Sequence, residues 1–412
     1  MNTNYYNLDV EEFHKSLKSE NNGKQLHVTS YSTKEGNYKI VRYNKDNLYV
    51  EDSFGLFRSV VVNEQNKVIS FAPPKSFSIE RFTDLNPTKT NNIVAEEFVE
   101  GTMMNVFWDE QCSAWNFATR NVVGANVSFY KTEKNKTFNT MFNEALNESN
   151  LKLEQLNKSY CYSFVLQHPE NRIVIPCVIP VLYLVQVCEI VDLKVFVHSM
   201  DSVKLEETWK NTRVRFPHVY GNWNTYDDLQ QAFGSLNTPY NIMGVVIKNT
   251  ESNDRCKIRN PVYENIRQLK GNQPKLQYQY LSLRKTGKIA DYLKFYPECK
   301  QKFTKYRNEL HMFTNTLFMN YISCYIKKER PLGEFPGQYK THMYKIHQIF
   351  LNELKPKSQF VTNTVVIKYV NDLHESQQMN ALHYNLKQQV VDTEKSVFDM
   401  KKISETNHEE NS

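Results

Sequence analysis

The fold of this chain is decided by an apolar stretch that runs into a polar turn, Tyr162-Ser163-Phe164-Val165-Leu166-Gln167-His168-Pro169-Glu170-Asn171-Arg172-Ile173-Val174. The apolar part has the composition of a buried strand, and a proline is tolerated only where a strand ends. On either side of this stretch, about the first 280 residues have the pattern of short strands joined by loops. We therefore expect an α+β or mostly β nucleus in this part of the chain.

Short β-branched and aromatic runs separated by polar residues predict individual strands. One pair of runs predicts a hairpin across 63–66, a second pair predicts a hairpin across 109–114, and 245–247 predicts a single buried strand. The segment from Ile173 to Val191 is dense in β-branched residues and is interrupted by Pro176 and Pro180. It is too broken for a helix, so we expect two strands there.

The pattern changes to helical after about residue 285. Apolar residues spaced three or four apart predict one long helix and then a second one, separated by Arg330-Pro331-Leu332-Gly333. They are Phe303, Tyr306, Leu310, Phe313, Leu317, Tyr321 and Cys324, then Met343, Ile346, Phe350 and Leu354. The predicted organisation is an α+β domain over 1–280, a helical domain over 281–393 and a disordered tail over 394–412.

Composition excludes several classes of protein. With 412 residues, 25 Tyr and 24 Phe, the chain has enough apolar material for folded domains, which excludes a disordered polymer. No stretch is apolar enough to cross a membrane, and the polar start does not resemble a signal peptide. Seven unclustered cysteines favour reduced thiols in the cytoplasm. The net charge of +6 permits an acidic partner such as RNA but does not require one.

Phosphate-binding glycine loops and metal-binding or hydrolase signatures are absent from the sequence. The chemistry must therefore come from short segments that are weak singly and informative in their order. These are Phe57-Arg58-Ser59-Val60-Val61-Val62, Pro73-Pro74-Lys75-Ser76-Phe77, the run 96–107 with Glu100-Gly101-Thr102, Phe117-Ala118-Thr119-Arg120, the run 162–174, Met243-Gly244-Val245-Val246-Ile247-Lys248 and Lys257-Ile258-Arg259.

This order resembles the RNA ligase family of T-even bacteriophages, within the covalent nucleotidyltransferases, over roughly residues 50–270. Pro169-Glu170-Asn171-Arg172-Ile173-Val174 is similar to the family's P-x-N-R-I-V run. The resemblance implies a ligase domain of ATP-grasp-like antiparallel sheets followed by a helical domain. It also implies a reaction in which the lysine of a K-x-D-G turn attacks the α-phosphate of ATP, assisted by a divalent metal.

The residues that would perform this reaction differ from the family pattern. Gly101 aligns with the glycine of the turn and Glu100 with its aspartate, which puts Phe98 at the position of the nucleophile. The carboxylates of two later motifs are replaced by Val165 and Met243. A phenyl ring has no lone pair with which to attack phosphorus, so we expect no catalytic residue and no metal site of the family type.

The basic positions of the family pattern are retained. The resemblance implies that Arg58, Lys75, Arg120, Lys257 and Arg259, together with Phe77, Glu100 and Gly101, bind the phosphates of a nucleotide or of RNA. Lys257 and Arg259 alternate around Ile258 and therefore share one strand face. A site that keeps its cations and loses its carboxylates should still attract an anion.

Ordinary structural roles compete with each of these assignments. Arg58 could form a surface salt bridge, Lys75 could be a solvated turn residue, and the Lys257 face could be an exposed polar face. Phe98, Val165 and Met243 could be core residues of a different fold. His168 fits a hydrogen-bonded structural role better than an acid or base.

Three functional hypotheses follow. The first is a catalytically inactive RNA-ligase-like protein that binds RNA or a nucleotide in a basic cleft and needs no cofactor. The second is an active ATP-dependent RNA ligase with a displaced nucleophile such as Lys89 or Lys131, which would use ATP and Mg²⁺. The third is a scaffold protein whose C-terminal helices dock a protein partner. We favour the first, in the cytoplasm of a host cell infected by a large DNA virus.

Overall fold

A computed structural model describes residues 5–18, 26–34, 36–47, 52–129 and 136–384. The predicted disordered tail over 394–412 lies outside these residues. The chain divides into two compact units, Met1–Gln268 and Leu269–Ser412. The predicted boundary at 280 differs from this division because it falls inside a helix, Leu276–Lys285, which packs against helices of the second unit.

Strands and helices occur together in the first unit, which confirms the predicted α+β class. The strands are β1 (Tyr6–Asn7), β2 (Leu26–Ser32), β3 (Asn37–Tyr43), β4 (Val60–Val62), β5 (Val68–Phe71), β6 (Ile93–Glu97), β7 (Thr102–Asp109), β8 (Ala114–Thr119), β9 (Tyr160–Gln167), β10 (Val181–Val191), β11 (Lys194–Val197), β12 (Val219–Tyr220), β13 (Gly244–Asn249) and β14 (Arg255–Arg259). The helices are α1 (Glu11–Lys18), α2 (Ile79–Leu85), α3 (Phe138–Glu148), α4 (Met200–Lys204), α5 (Glu207–Lys210), α6 (Tyr226–Phe233) and α7 (Pro261–Lys270).

Three antiparallel sheets organise these strands. The first has the order β2-β3-β4-β5, the second β1-β11-β10-β9-β7-β8 and the third β12-β6-β13-β14. The β4–β5 and β7–β8 pairs are the two predicted hairpins, and β13 is the predicted single strand. These predictions are confirmed because each depends on a local alternation of apolar runs and polar turns.

The prediction of two strands between Ile173 and Val191 is wrong in its first half. Only Val181–Val191 forms a strand, whereas 173–180 is irregular. The backbone N–H groups of Val174 and Ile175 donate to the carboxylate of Glu100 instead of to a neighbouring strand. A side chain distant in sequence therefore takes the hydrogen bonds that a ladder would have used.

In the third sheet, successive residues of a strand point alternately to the apolar core and to the opposite face of the sheet. Along β14, Cys256 and Ile258 are buried in an apolar cluster with Phe82, Leu229 and Phe233 of the helices α2 and α6. The residues between them, Arg255, Lys257 and Arg259, lie on the opposite face. The prediction that Lys257 and Arg259 share a face is confirmed.

The second unit is helical over its described residues. It contains α8 (Leu276–Lys285), α9 (Ile289–Phe295), α10 (Lys300–Tyr321), α11 (Gly337–Ile349), α12 (Asn363–Asp372) and α13 (Glu375–Leu382). The two predicted amphipathic helices are α10 and α11, each continued by a π-turn, over Ile322–Ile326 and Phe350–Leu354. Five residues of the predicted stripe on α10 are buried: Phe303, Leu310, Phe313, Leu317 and Tyr321. No helix among the described residues is long and apolar enough to cross a membrane.

Charge is divided unequally between the units. In the described part of the second unit, Lys and Arg outnumber Asp and Glu by more than two to one, whereas the two signs are nearly balanced over residues 1–268. The net charge of the chain therefore comes from the helical unit. Any basic site in the first unit must be local, created by the placement of a few side chains.

Candidate functional site

A cavity of about 570 Å³ lies where the chain leaves β6 of the third sheet and enters β7 of the second. Its lining includes the connecting residues Phe98 to Gly101, and it also receives side chains from β9, β13 and β14. This volume is within the range of small-molecule sites. Phe98, Val165 and Met243, which the resemblance placed at the catalytic positions of the family, all line this one cavity.

Two glycines allow the strands to approach closely at this crossing. Gly101 has a φ of 151°, and a Cβ atom there would lie 2.5 Å from the carbonyl oxygen of Leu166. Gly244 has a φ of 137°, and a Cβ atom there would collide with the carbonyl oxygen of Ile258. Both positions therefore require glycine. The carbonyl of Gly244 also accepts the N–H of Phe98, at 3.4 Å, which fixes the start of the turn.

Four basic side chains of the cavity have no carboxylate partner among the described residues, and we call them the cationic wall: Arg58, Arg120, Arg255 and Lys257. Arg58 precedes β4, Arg120 follows β8, and the other two lie on β14. Among the described residues, none of the four side chains forms an ion pair or a hydrogen bond. The Nε atoms of Arg120 and Arg255 are buried without a hydrogen-bond partner. Unpaired cations this close together are unfavourable unless an anion joins them.

Burial lowers the pKa values of Lys257, Arg58 and Arg255. Burial, reinforced by the positive charges of Arg255, Arg58, Arg259 and Lys248, lowers the pKa of Lys257 to about 6. Burial and the charges of Arg255, Arg120 and Arg259 lower the pKa of Arg58 to about 10. Burial also lowers the pKa of Arg255. The amine of Lys257 is therefore mostly neutral at pH 7.5 in the free protein.

Arg259 and Arg267 also line the cavity, but they are neutralised differently. Each donates to a different oxygen of Glu264, at 2.6 Å and 3.1 Å. The predicted pair of Lys257 and Arg259 therefore divides into one unpaired amine and one paired guanidinium. The exposed fraction of the Arg259 side chain, 48%, also places it nearer the solvent than the cationic wall.

Phe98 contacts the cations directly. Nζ of Lys257 lies 4.4 Å from the centroid of its ring, and Cζ of Arg259 lies 5.4 Å from it. These distances are those of cation–π contacts. The ring therefore covers a lysine at the place where the family pattern would put a nucleophilic lysine.

An apolar floor, formed by Val99, Met103, Val165 and Val185, faces the same cavity. Val165 lies on β9 opposite Met103 of β7 and is 6% exposed. In the family pattern this position carries a carboxylate. Here it packs in a cluster with Val181 and Tyr183 and also lines the cavity.

The carboxylates of the cavity are each used by the chain itself. Glu96 pairs with Lys248, and Glu97 accepts the backbone N–H of His218 at 3.2 Å. Glu100, only 4% exposed, accepts the N–H groups of Val174 and Ile175 at 3.1 to 3.2 Å. The resemblance implied that Glu100 contacts a bound ligand, whereas both of its carboxylate oxygens accept hydrogen bonds from backbone N–H groups of this chain.

The segment 167–171 is joined to the crossing turn by two further contacts. Asn171 donates its amide to the hydroxyl of Thr102 at 2.9 Å, and Gln167 donates to the carbonyl of Glu100 at 2.9 Å. His168 is buried, its Nδ1 accepts the N–H of Glu170, and its Nε2 lies 3.0 Å from Glu144. This confirms the structural role expected for His168.

Lys75 and Phe77 are separated from the other predicted site residues. They line a second cavity of about 370 Å³, and Arg255 is the residue common to both cavities. Cζ of Arg81 lies 4.5 Å from the centroid of the Phe77 ring. The prediction grouped them with Arg58 because the resemblance matches them to basic and aromatic positions of the family. In the structure, the N–H of Lys75 donates to the carbonyl of Gly55 and the N–H of Phe77 donates to the carbonyl of Arg255, which positions them at the second cavity.

Arg255 is the functional candidate that the sequence prediction missed. It lies two residues before Lys257 on the same strand face, so the alternation that selected Lys257 and Arg259 also selects it. Lys89, considered as a substitute nucleophile, donates to the carbonyl of Trp223 and lies 4.4 Å from the centroid of that residue's ring. It is outside the cavity. Lys131 lies outside the described residues.

Comparison with known proteins finds no matching family model. The chain is 24% identical over 285 residues to an RNA ligase of Rhodothermus phage RM378, covering 61% of this chain and 64% of that protein. It is 22% identical over 283 residues to an immediate-early protein ICP-46 homolog of Invertebrate iridescent virus 6, covering 64% and 60%. The chain thus spans less than two thirds of the length of these curated relatives.

Solved structures of a Naegleria gruberi RNA ligase are also similar to this chain. A lysine-to-alanine mutant of that ligase with ATP and Mn has a TM-score of 0.37 and 12% identity, covering 63% of this chain and 85% of that one. An aspartate-to-alanine mutant in its apo form has a TM-score of 0.36 and 14% identity, covering 47% and 57%.

Proposed function

We propose that this chain is an RNA-ligase-like protein with a nucleotidyltransferase fold that binds the phosphate groups of RNA or a nucleotide without forming a lysyl-adenylate at residue 98. The observation that carries the proposal is the cationic wall. Three guanidinium groups and the amine of Lys257, none of them with a carboxylate partner in the described part of the chain, converge on one cavity that also contains Phe98. Such a cavity is electrostatically complementary to phosphate.

The expectation of no ligase chemistry rests on the groups at the positions that the resemblance assigns to the reaction. Phe98 offers neither a lone pair nor a proton acceptor, and Val165 and Met243 offer no oxygen. Phosphoryl attack requires a nucleophile and stabilisation of the charge that develops on the phosphate. The cavity supplies charge stabilisation through its cations and leaves the family's nucleophile position empty of reactive atoms.

The similarity to a phage RNA ligase supports the class of ligand. That protein is named for joining RNA, and the matched region covers more than half of this chain. Together with the cationic wall, this favours RNA or a nucleotide over other anions. A protein partner for the helical unit, and action in the cytoplasm of a virus-infected cell, remain predictions.

The experiment is a pair of measurements on the full chain. In the first, α-labelled ATP is incubated with the protein with and without Mg²⁺ or Mn²⁺, and covalent label is sought after denaturation. In the second, binding of ATP and of a 5′-phosphorylated oligoribonucleotide is titrated. We expect binding without covalent label. Absence of binding to both ligands would contradict the proposal.

A second candidate function is favoured by one specific observation. Lys257 is a neutral amine at neutral pH, because its pKa is lowered to about 6, and it contacts the ring of Phe98. It is therefore the side chain best placed to act as a displaced nucleophile in an active ATP-dependent ligase. Covalent label that is lost in Lys257→Arg and retained in Lys89→Arg would establish this candidate in place of the first.

A further inference from the structure

The carboxylates that line the cavity do not fit the divalent metal that the resemblance to RNA ligases implies. Mg²⁺ and Mn²⁺ are held by converging carboxylate oxygens and water. Glu96 is paired with Lys248, Glu97 binds a backbone N–H, and both oxygens of Glu100 bind two more. Among the described residues, no group of three or more potential ligands could hold a metal ion.

The basic side chains of the same cavity differ from its carboxylates, because they have no partner of opposite charge among the described residues. The four side chains of the cationic wall have no carboxylate partner in the part of the chain that the structure describes, and the Nε atoms of Arg120 and Arg255 lie buried with their hydrogen-bonding capacity unused. A metal ion bound to phosphate would bring further positive charge among them. In a partly buried site that repulsion is weakly screened.

We propose that the cavity binds a polyphosphate free of divalent metal, with the cationic wall taking the place that the metal has in the resembled ligases. This inference rests on the proposed function and adds the chemical form of the ligand. Polyphosphate is favoured over a single diester because one negative charge would leave at least two of the three guanidinium groups without a counter-charge. The shared chemistry is a triphosphate, on a nucleotide or at the 5′ end of an RNA.

The charge of the ligand decides whether the cavity is expected to prefer metal-free or metal-bound triphosphate. Chelation by Mg²⁺ removes about two negative charges from a triphosphate and places a divalent cation beside the guanidinium groups. Both changes weaken attraction to the cationic wall. The apolar floor and Phe98 add contacts that do not depend on the metal, because they present no charged atom.

The test is calorimetric titration of the full chain with ATP, in EDTA and in excess Mg²⁺, at equal ionic strength. A 5′-triphosphorylated oligoribonucleotide and tripolyphosphate are titrated in parallel, which distinguishes a nucleotide from an RNA end and from the phosphates alone. We expect at least about tenfold tighter binding in EDTA. Binding that is equal or tighter in Mg²⁺ would overturn this inference and leave the proposed function intact.

Failure to bind any of the three ligands, in either condition, would instead overturn the proposed function and this inference with it. Variants of Met243 test whether electrostatic repulsion of the metal causes the preference for metal-free ATP. Met243 is half-buried at the cavity, and Met243→Glu restores a carboxylate there, with Met243→Gln as the matched uncharged control. We expect the Glu variant to lose the preference for metal-free ATP and the Gln variant to keep it. An unchanged preference in the Glu variant would contradict the electrostatic explanation.

Discussion

The cationic wall and the apolar floor face one cavity and have opposite chemistry. The wall holds Arg58, Arg120, Arg255 and Lys257 without carboxylate partners among the described residues, whereas the floor places Val165 where the ligase pattern has a carboxylate. In the proposed function, attraction of phosphate and chemistry on phosphate therefore depend on separate groups. One can be present without the other, because binding needs only charge complementarity while group transfer also needs a nucleophile.

Removing cations from the wall should have the largest effect. We expect Arg255→Ala combined with Lys257→Ala to weaken ATP binding by at least about 100-fold, since both side chains lie at the cavity without a carboxylate partner in the described chain. The measurement is calorimetry, with a melting curve to confirm folding. Arg213→Ala is the matched control, because Arg213 is exposed and pairs with Glu148. Equal losses in the control and the double variant would contradict a local site.

The next largest effect should come from Glu100, whose hydrogen bonds connect the crossing turn to residues 174 and 175. In Glu100→Ala the buried N–H groups of Val174 and Ile175 lose their acceptor. We expect a loss of about 2 kcal/mol in the free energy of unfolding, as is typical when buried donors are left unpaired. Denaturant titration measures it. Glu97→Ala, which removes a hydrogen bond to the backbone N–H of His218, should have a smaller effect.

The pH dependence of ATP binding should reflect the protonation of the Lys257 amine. Burial and neighbouring cations lower its pKa to about 6, so above pH 6 the free protein must take up a proton for this amine to attract an anion. We expect affinity for ATP to fall by up to about tenfold per pH unit above 6. Lys257→Met should remove this slope, and a slope that is unchanged in the variant would assign the proton to another group.

The same pKa shift predicts the effect of pH on stability. Between pH 6 and the ordinary lysine pKa of 10.5, the unfolded chain holds a proton on Lys257 that the folded chain lacks. The free energy of unfolding should therefore rise with pH across this window, which denaturant titration at several pH values measures. In Lys257→Met this contribution is absent, so the difference between the two proteins should change with pH. A difference that stays constant from pH 6 to 10 would contradict the lowered pKa.

The smallest effect is expected from a substitution of Phe98, on the uncharged side of the cavity. Phe98→Lys restores a lysine at the nucleophile position, yet we expect no covalent label from ATP, because Val165 and Met243 still provide no carboxylate. The added cation would also lie beside Lys257 and Arg259. Gel analysis after incubation with labelled ATP gives the result. A labelled band in this variant would show that the nucleophile alone was missing.

Much of the local structure was predictable from residue patterns. The hairpins at 63–66 and 109–114 and the buried stripe on α10 follow from periods of two and of three to four residues, which depend only on neighbours in the chain. The strand expected at 173–180 was not formed, because its N–H groups bind Glu100. That partner is remote in sequence, so no local pattern could reveal it.

The sequence by itself determined which residues could share a strand face and which reactive groups are absent from the ligase pattern. Lys257 and Arg259 alternate with Ile258, and Phe98, Val165 and Met243 lack reactive atoms whatever the fold. Only the tertiary structure decided that Arg58 and Arg120 join Arg255 and Lys257 at one cavity, and that Lys75 and Phe77 do not. The physical reason is that charge acts through distance in space, and that distance is set by pairing between strands far apart in the chain.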